Sequence, residues 1–252
     1  MSSPRVIPGG EAFRFEGGPL GVLLLHGFTG NPTSMRPFGE WLASKGLSVA
    51  GPRYPGHGTT WEDLATTKWE QWRDEAASAL DELAERTKDL IVCGLSMGGA
   101  MALHLAANHP EAIRGVAVVN AYVRNPQMAG ARVARLFARS RKGVGNDIKK
   151  PAQNEAPYAR VPYTGIIQLH RMCKTVQSDL PKVRQPLLVF NSPEDHVVPK
   201  DNAQYVMDHA GSERKELVTL PNSYHVATLD YDAETIQERV LAFARACAGA
   251  RA

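Results

Sequence analysis

The chain has 252 residues, of which 43% are apolar and 22% are charged. These ordinary globular values exclude a disordered chain, a collagen and a coiled coil, and the length fits one α/β domain that carries an insertion. The net charge of +3 hides an asymmetry, because residues 121–185 hold 13 basic and only 3 acidic side chains while the remainder is net acidic. A basic segment on an acidic body needs an explanation.

The beginning of the sequence and its short apolar runs favour a cytoplasmic protein. The segment MSSPRVIPGG lacks an apolar core of signal-peptide length, and the longest apolar runs are too short to span a bilayer. Cys93, Cys173 and Cys247 are widely spaced, which predicts neither a disulfide framework nor a thiolate zinc site. We therefore expect a cytoplasmic protein without stable membrane insertion, whose thiols are small buried side chains.

Short apolar runs that end in turn residues alternate with helical patterns along most of the chain. The runs are continuous, as in strands buried on both faces of a parallel sheet, and apolar residues between them recur at spacings of three and four. The predicted strands are 20–25, 47–50, 90–93, 116–119, 187–190 and 216–220, and the predicted helices are 69–85, 97–107, 203–209 and 234–246. This alternation predicts an α/β fold with a mostly parallel, doubly wound sheet.

The alternation stops between residues 121 and 185, which we interpret as an insertion. The sequence therefore predicts a core of residues 1–120 and 186–252, and a cap (lid) of residues 121–185 over one end of the sheet. Within the cap, residues 132–141 form a basic amphipathic pattern, and residues 164–176 form a second helical pattern.

The strongest functional signal is GLSMG at residues 94–98, between a predicted strand and a predicted helix. A serine on such a tight turn projects its hydroxyl over the sheet edge, and flanking glycines let the chain pass close to itself. The helix that follows directs free N–H groups towards the place where an oxyanion would form. Ser96 is therefore the candidate nucleophile.

A serine nucleophile needs a base, and eight histidines are available. His225 is the candidate, because it follows the last predicted strand at the sheet edge where the loops gather. His26 and His57 also follow predicted strands, but they lie in glycine-rich loops that we expect them to shape by hydrogen bonding. The remaining histidines are expected to be structural or surface residues.

A carboxylate must hold the imidazole in the correct tautomer. Asp195 follows the fifth predicted strand and is the candidate, with its neighbour Glu194 as the rival. Asp201 opens a predicted helix and is better explained as part of its cap or first turn. His196 is too close in sequence to Asp195 to be its partner. The resulting order of serine, aspartate and histidine is the one this architecture uses.

Two backbone N–H groups are expected to hold the oxyanion. One belongs to Met97, at the start of the helix after the nucleophile. We assign the other to Phe28, in the loop 26–30, because glycines there let the backbone turn an N–H inward. Both glycine-rich loops converge on the same sheet edge.

On these motifs the chain resembles the α/β-hydrolases, and more narrowly the bacterial carboxylesterase and monoacylglycerol lipase group. The matching segments are HGFTG at 26–30, YPGHG at 54–58, GLSMGG at 94–99, NDIK at 146–149, EDHVVP at 194–199 and NSYHVATLD at 222–230. The resemblance implies the α/β-hydrolase fold, a triad of Ser96, Asp195 and His225, oxyanion donors at Phe28 and Met97, and a cap that shapes the acyl and alcohol pockets.

These residues predict hydrolysis of a carboxylic ester through an acyl-enzyme, with no metal or organic cofactor. The expected substrate is a monoacylglycerol or a similar small lipid ester. The alternatives are a short-chain carboxylesterase, a carbon–carbon hydrolase, thioesterase or acyltransferase on the same fold, and a non-catalytic ligand receptor, which the intact triad disfavours. In the cap, Ile148 and Glu155 are candidates for substrate contact, although a glutamate is more often a surface residue.

The basic pattern in the cap has two interpretations. A helix over 132–141 would present an apolar face and a basic face, formed by Val133, Leu136 and Phe137 and by Arg132, Arg135 and Arg139. Such a helix could lie transiently on an anionic lipid or micelle surface. Packing of the apolar stripe on the core is the slightly favoured alternative. A nucleic-acid partner is not expected, because the body is acidic and no base-stacking motif is evident.

Overall fold

Strands and helices alternate along most of residues 4–249, which the computed structural model describes. In this part of the chain the strands are β1 (Phe13–Phe15), β2 (Leu20–Leu25), β3 (Ser48–Gly51), β4 (Asp89–Leu95), β5 (Gly115–Val119), β6 (Ser140–Lys142), β7 (Arg160–Pro162), β8 (Leu187–Asn191) and β9 (Lys215–Thr219). The helices are α1 (Arg36–Ser44), α2 (Trp61–Leu64), α3 (Trp69–Ala84), α4 (Met97–Asn108), α5 (Ala131–Ala134), α6 (Tyr163–Asp179), α7 (Asn202–His209) and α8 (Ala233–Gly249).

Seven of these strands form one sheet in the order β1-β3-β2-β4-β5-β8-β9. Strand β1 is antiparallel to β3, and the other neighbours are parallel. The predicted sheet is confirmed, with each predicted strand within two residues of its expected bounds. Because parallel strands end at the same edge, the loops after β2, β4, β5, β8 and β9 meet there.

The continuous apolar runs explain how the central strands come to be buried on both faces. In β2, Leu23 and Leu25 join the hydrophobic cluster that includes α3 and α4, whereas Val22 and Leu24 join the opposite cluster with α1 and α8. Successive side chains of a strand point to opposite faces, so every position must be apolar when helices cover both.

Residues 121–185, called the insert below, leave the sheet after β5 and return to it at β8. Helix α6 confirms the second predicted helical pattern and packs against α4. The predicted basic helix over 132–141 is wrong, because α5 ends at Ala134 and β6 pairs with β7 in an antiparallel ribbon. Arginines at spacings of three and four repel on one helical face, which disfavours a longer helix. The partner strand β7 lies too far along the chain for a local pattern to reveal.

The apolar side chains of this region are exposed. Leu136 is 80% exposed and Phe137 is 84% exposed. The favoured alternative, in which this stripe packs on the core, is therefore also wrong. We call these exposed apolar residues of the insert the exposed patch; they are Val133, Leu136, Phe137 and Val144.

The described residues contain no helix that combines the length and the apolar character needed to cross a membrane. The three cysteines are buried and unpaired, as the sequence predicts. The cytoplasmic location stays a prediction.

Candidate active site

Ser96 lies on the turn between β4 and α4 with a φ of 56°, a left-handed conformation that is rare for a residue with a side chain. Long-range hydrogen bonds enforce this conformation. The N–H of Ser96 donates to the Val119 carbonyl at 2.9 Å, and its carbonyl accepts from the Tyr122 N–H at 3.0 Å. Backbone strain of this kind costs about 1–3 kcal/mol and persists where the surroundings over-determine it.

The glycines on either side of Ser96 are required by close backbone approach. A Cβ on Gly94 would lie 2.1 Å from the carbonyl oxygen of Gly98, and a Cβ on Gly98 would lie 2.1 Å from that of Leu25. Only glycine fits at either position. This turn, called the elbow below, therefore packs directly against the end of β2, which leads into the loop 26–30.

His225 and Asp195 form a buried pair, with 2.8 Å between Nδ1 of the ring and Oδ2 of the carboxylate. The other oxygen of Asp195 accepts from the N–H groups of Val197 and Val198 at 2.7 and 2.8 Å, so the carboxylate is fixed from both sides. Burial alone would raise the pKa of Asp195. The adjacent His225 ring and these hydrogen bonds outweigh burial, and the pKa of Asp195 lies below its ordinary value.

The same pair makes His225 a stronger base. Burial alone would lower the pKa of His225, but Asp195, followed by Glu155 and Asp147, raises it above the ordinary value. Ser96 and His225 line the same cavity. The hydrogen bonds within residues 4–249 include no direct contact between them, and such bonds often tighten only when substrate is bound.

The rival carboxylates have other partners. Glu194 pairs with Nζ of Lys149 at 2.9 Å on the surface. Asp201 pairs with Arg124. The loop after β8 therefore presents Asp195, and not its neighbour Glu194, to the His225 ring.

His26 shapes the loop 26–30, as the sequence predicts. Its ring is buried, which lowers its pKa to about 4, so it is neutral. Nε2 accepts from the Tyr54 N–H at 3.4 Å, which leaves the proton on Nδ1 for the Gly27 carbonyl at 2.9 Å. The C=O and N–H of a trans peptide point in opposite directions, so the Phe28 N–H turns away from His26. Phe28 and Met97 both line the cavity.

The cavity has a volume of about 260 Å³ and lies between the sheet edge and the insert. Glu155 lines it and is turned towards the loop 26–30, with Oε2 3.1 Å from where a Cβ on Gly30 would lie. Burial of its carboxyl raises the pKa of Glu155 to about 7. Ile148 is not among the residues that line the cavity and packs against the hydrophobic cluster that includes α1 and α8, so its contact with substrate stays a prediction.

Two polar residues for which the sequence motifs predicted no role join the loops of the site. Nδ2 of Asn120 donates to Ser192 Oγ at 3.0 Å and to the His225 carbonyl at 2.8 Å, and its Oδ1 accepts from the Ser192 N–H at 2.8 Å. Asp147 of the NDIK segment accepts from the His225 N–H at 3.2 Å. The position of Asn120, directly after a predicted strand at the same edge, was the available signal.

Comparison with known proteins agrees with this architecture. A family model described as serine aminopeptidase, S33 (Hydrolase_4), matches residues 20–232. The chain is 43% identical over 239 residues to a thermostable monoacylglycerol lipase of Bacillus sp. (strain H-257), across 94% of this chain and 95% of the relative. It is 27% identical over 236 residues to a carboxylesterase of Bacillus subtilis (strain 168), across 92% of this chain and 95% of that relative.

A solved structure from work on the metagenome-derived lipolytic enzymes LipS and LipT is similar with a TM-score of 0.92 and 41% identity. That match covers 96% of this chain and 99% of the other. The matched family segment contains Ser96, Asp195 and His225. The chain therefore belongs to the α/β-hydrolase family, in the group of bacterial monoacylglycerol lipases and carboxylesterases.

Proposed function

We propose that the chain is a serine esterase that hydrolyses small lipid esters, most readily monoacylglycerols. The observation that carries this proposal is the geometry of the sheet edge. Ser96 lies on a strained turn in a cavity that it shares with His225, whose ring is bound to Asp195 at 2.8 Å. A serine becomes nucleophilic when an oriented base takes its proton. The 43% identity to a monoacylglycerol lipase supports the substrate class.

The reaction proceeds through an acyl-enzyme. Oγ of Ser96 attacks the ester carbonyl carbon while its proton passes to Nε2 of His225. The N–H groups of Phe28 and Met97 stabilise the tetrahedral oxyanion; Met97 is the first residue of α4, where the N–H has no acceptor within the helix. The ester C–O bond then breaks, and His225 gives the proton to the leaving alcohol.

Water completes the cycle by the same route. His225 takes a proton from water while the water oxygen attacks the acyl carbon. Collapse of the second tetrahedral intermediate releases the carboxylic acid, and the proton returns to Oγ of Ser96. Asp195 stabilises the imidazolium in both halves of the reaction.

The walls of the cavity suggest how the substrate is oriented. The insert contributes apolar side chains, which we assign to the acyl chain: Met128, Val161, Ile166 and Leu169. Glu155 is assigned to the alcohol. With a pKa of about 7 it is present in both protonation states near neutral pH, so it can accept or donate a hydrogen bond to a glycerol hydroxyl.

We also propose that the exposed patch meets the lipid surface that holds the substrate. Exposed cations alternate with its apolar residues along the chain, namely Arg132, Arg135, Arg139, Arg141 and Lys142. Val144 and Arg141 also line the cavity, which brings one end of this part of the chain to the cavity. An anionic lipid or micelle surface would cover the apolar side chains and neutralise the arginines.

Two measurements test the catalytic proposal. A serine-reactive phosphonate should label the folded protein, and Ser96→Ala should abolish labelling and lower kcat by about 10⁴-fold or more. Circular dichroism of the variant checks that it is folded. Absence of labelling in the folded wild type would contradict the enzyme proposal and favour the ligand receptor.

Initial rates on a panel of esters test the substrate class. We expect a strong fall from mono- to di- to triacylglycerols, because a cavity of about 260 Å³ has little room for further acyl chains. Equal rates on all three would refute the monoacylglycerol assignment and leave a general lipase or esterase. Faster turnover of matched acyl thioesters would favour a thioesterase.

A further inference from the structure

Residues 146–150 of the insert are hydrogen-bonded to both loops that carry Asp195 and His225. The N–H groups of Lys149 and Lys150 donate to the carboxylate of Asp230 at 2.7 and 2.9 Å. The same carboxylate, which is buried, accepts from the Tyr224 N–H at 2.9 Å. Nζ of Lys149 lies 2.9 Å from Glu194. The segment is therefore bound directly to Glu194, which precedes Asp195, and through Asp230 to Tyr224, which precedes His225.

Asp147 is at the centre of these attachments. Its Oδ2 accepts from the N–H groups of His225 and His196, both at 3.2 Å, and its Oδ1 lies 2.9 Å from Nδ1 of His196. Its own carbonyl accepts from the Val226 N–H at 3.1 Å. The side chain is only 13% exposed. The carboxylate of Asp147 thus bonds both to His196, which follows Asp195 in the chain, and to the backbone of His225.

We propose that Asp147 is a positioning residue, which fixes the loop after β8 and the loop after β9 relative to each other so that the Asp195–His225 pair keeps its geometry. It does not touch the reacting atoms. The proposal rests on the ester hydrolysis proposed above. Loss of the carboxylate would leave two backbone N–H groups without an acceptor and let the loops move apart. A displacement of about 1 Å can cost about 100-fold in rate.

Asp147 also acts on His225 through its charge. The charged groups around His225 are Asp195, Glu155 and Asp147, with His196 on the far side of Asp147. Each of the three carboxylates raises the pKa of His225. Removal of the Asp147 charge therefore lowers that pKa. The acidic limb of kcat/KM, which reports the neutral imidazole, moves to lower pH.

Two substitutions separate the hydrogen bonds from the charge. Asp147→Ala removes both. Asp147→Asn keeps one oxygen for the two backbone N–H groups, and its amide N–H can donate to His196 in the other ring tautomer. Asp179→Asn is the matched control, because Asp179 is also a buried carboxylate of the insert but pairs with His104 and Lys182, away from the cavity.

The readouts are kcat and KM on a soluble short-chain ester across pH, and the rate of phosphonate labelling of Ser96. We expect Asp147→Ala to lower kcat and the labelling rate about 10- to 100-fold with little change in KM. Asp147→Asn should recover most of the rate while its acidic limb shifts to lower pH. The control should keep the wild-type rate and limb.

The proposal is overturned if Asp147→Ala keeps the wild-type rate and limb, or if Asp179→Asn reproduces its loss. If Asp147→Ala does not fold, the acidic limb of kcat/KM for Asp147→Asn decides. A shift of that limb to lower pH supports the proposal, and an unshifted limb overturns it. Labelling of the wild type, measured first, distinguishes failure of this proposal from failure of the esterase proposal.

Discussion

The two walls of the cavity are held in place by different means. The sheet wall is fixed by backbone: the elbow carries a left-handed serine, and its glycines leave no space for a single methyl group. The insert wall is held mainly by side-chain hydrogen bonds. The Tyr158 hydroxyl accepts from the Thr59 N–H at 2.8 Å and donates to the Gly56 carbonyl at 2.7 Å, and Nδ2 of Asn31 donates to the Glu155 carbonyl at 2.9 Å.

This difference corresponds to what each wall does in the proposed reaction. Bond formation at Ser96 tolerates only very small displacements. The position of Ser96 is therefore set by the part of the chain that can adjust least. The substrate wall has to accept an acyl chain and an alcohol. There, individual side chains can be exchanged without disturbing the sheet.

The largest effect is expected from the same substitution made in each wall. Gly98→Ala places a methyl group 2.1 Å from the Leu25 oxygen, whereas a Cβ on Gly130 of the insert meets nothing within 4 Å. We expect Gly98→Ala to destabilise the protein by more than about 3 kcal/mol and Gly130→Ala by less than about 0.5 kcal/mol. Thermal unfolding measures both. Similar losses of stability would show that the walls do not differ in this way.

A smaller effect, confined to lipid substrates, is expected from the exposed patch. Replacement of Arg132, Arg135 and Arg139 by glutamine should weaken binding to anionic vesicles about 100-fold, since each cation near such a surface contributes about 1 kcal/mol. Activity on anionic micelles should fall accordingly, and activity on a soluble short ester should change little. Vesicle sedimentation and paired rate measurements test this.

The matched control for that variant removes three cations at the opposite sheet edge, by Lys45→Gln, Lys88→Gln and Arg214→Gln. These residues lie just before β3, β4 and β9, at the amino ends of the strands. The control should bind anionic vesicles like the wild type. An equal loss in both variants, or equal effects on micelles and soluble ester, would assign the arginines to a merely solvated surface.

The smallest effect concerns the Glu155 carboxyl. Its pKa rises from an ordinary 4.5 to about 7 in the folded chain, so the folded state binds more protons than the unfolded state between these values. Stability is therefore lost as the pH rises from about 4.5 to about 7, and the loss is complete above about 7. Glu155→Gln, which mimics the protonated acid, should lie close to the wild type at pH 5 and unfold several degrees higher than the wild type at pH 8.

Calorimetry at the two pH values tests this prediction. Exposed Glu213→Gln is the control and should show no such difference between the two values of pH. A wild type as stable as Glu155→Gln at pH 8 would mean that this carboxyl ionises without cost in the cavity.

The sheet was predictable from sequence because its strands are continuous apolar runs, a property that each segment carries by itself. Strand β1 is too short for such a pattern, with three residues on an antiparallel edge. Helix α1 contains Pro37 and Gly39, which weaken a helical pattern. Gly39 is needed there because a Cβ would lie 2.6 Å from the Phe13 ring. The missing information in both cases is a contact between distant segments.

The residues of the candidate site also fall into those that a single segment reveals and those that depend on contacts between distant segments. Ser96 was predicted because one short segment contains the strand end, the turn and the helix start. The distinction between Asp195 and Glu194 was not available locally, since it depends on which carboxylate the His225 ring reaches. Asp147 lay in a motif that was recognised without a role, because its partners belong to two other loops.

The hydrogen bond from Ser96 to the Val119 carbonyl makes the reactivity of the serine a property of the assembled sheet. Strand β5 follows the elbow in the chain. A nascent polypeptide that ends before Val119 therefore contains the whole GLSMG sequence but lacks the hydrogen bond that keeps Ser96 in its left-handed conformation. Phosphonate labelling during refolding would therefore begin only after β4 has paired with β5 and the loops that carry Asp195 and His225 are in place, and the unfolded chain would be spared premature acylation.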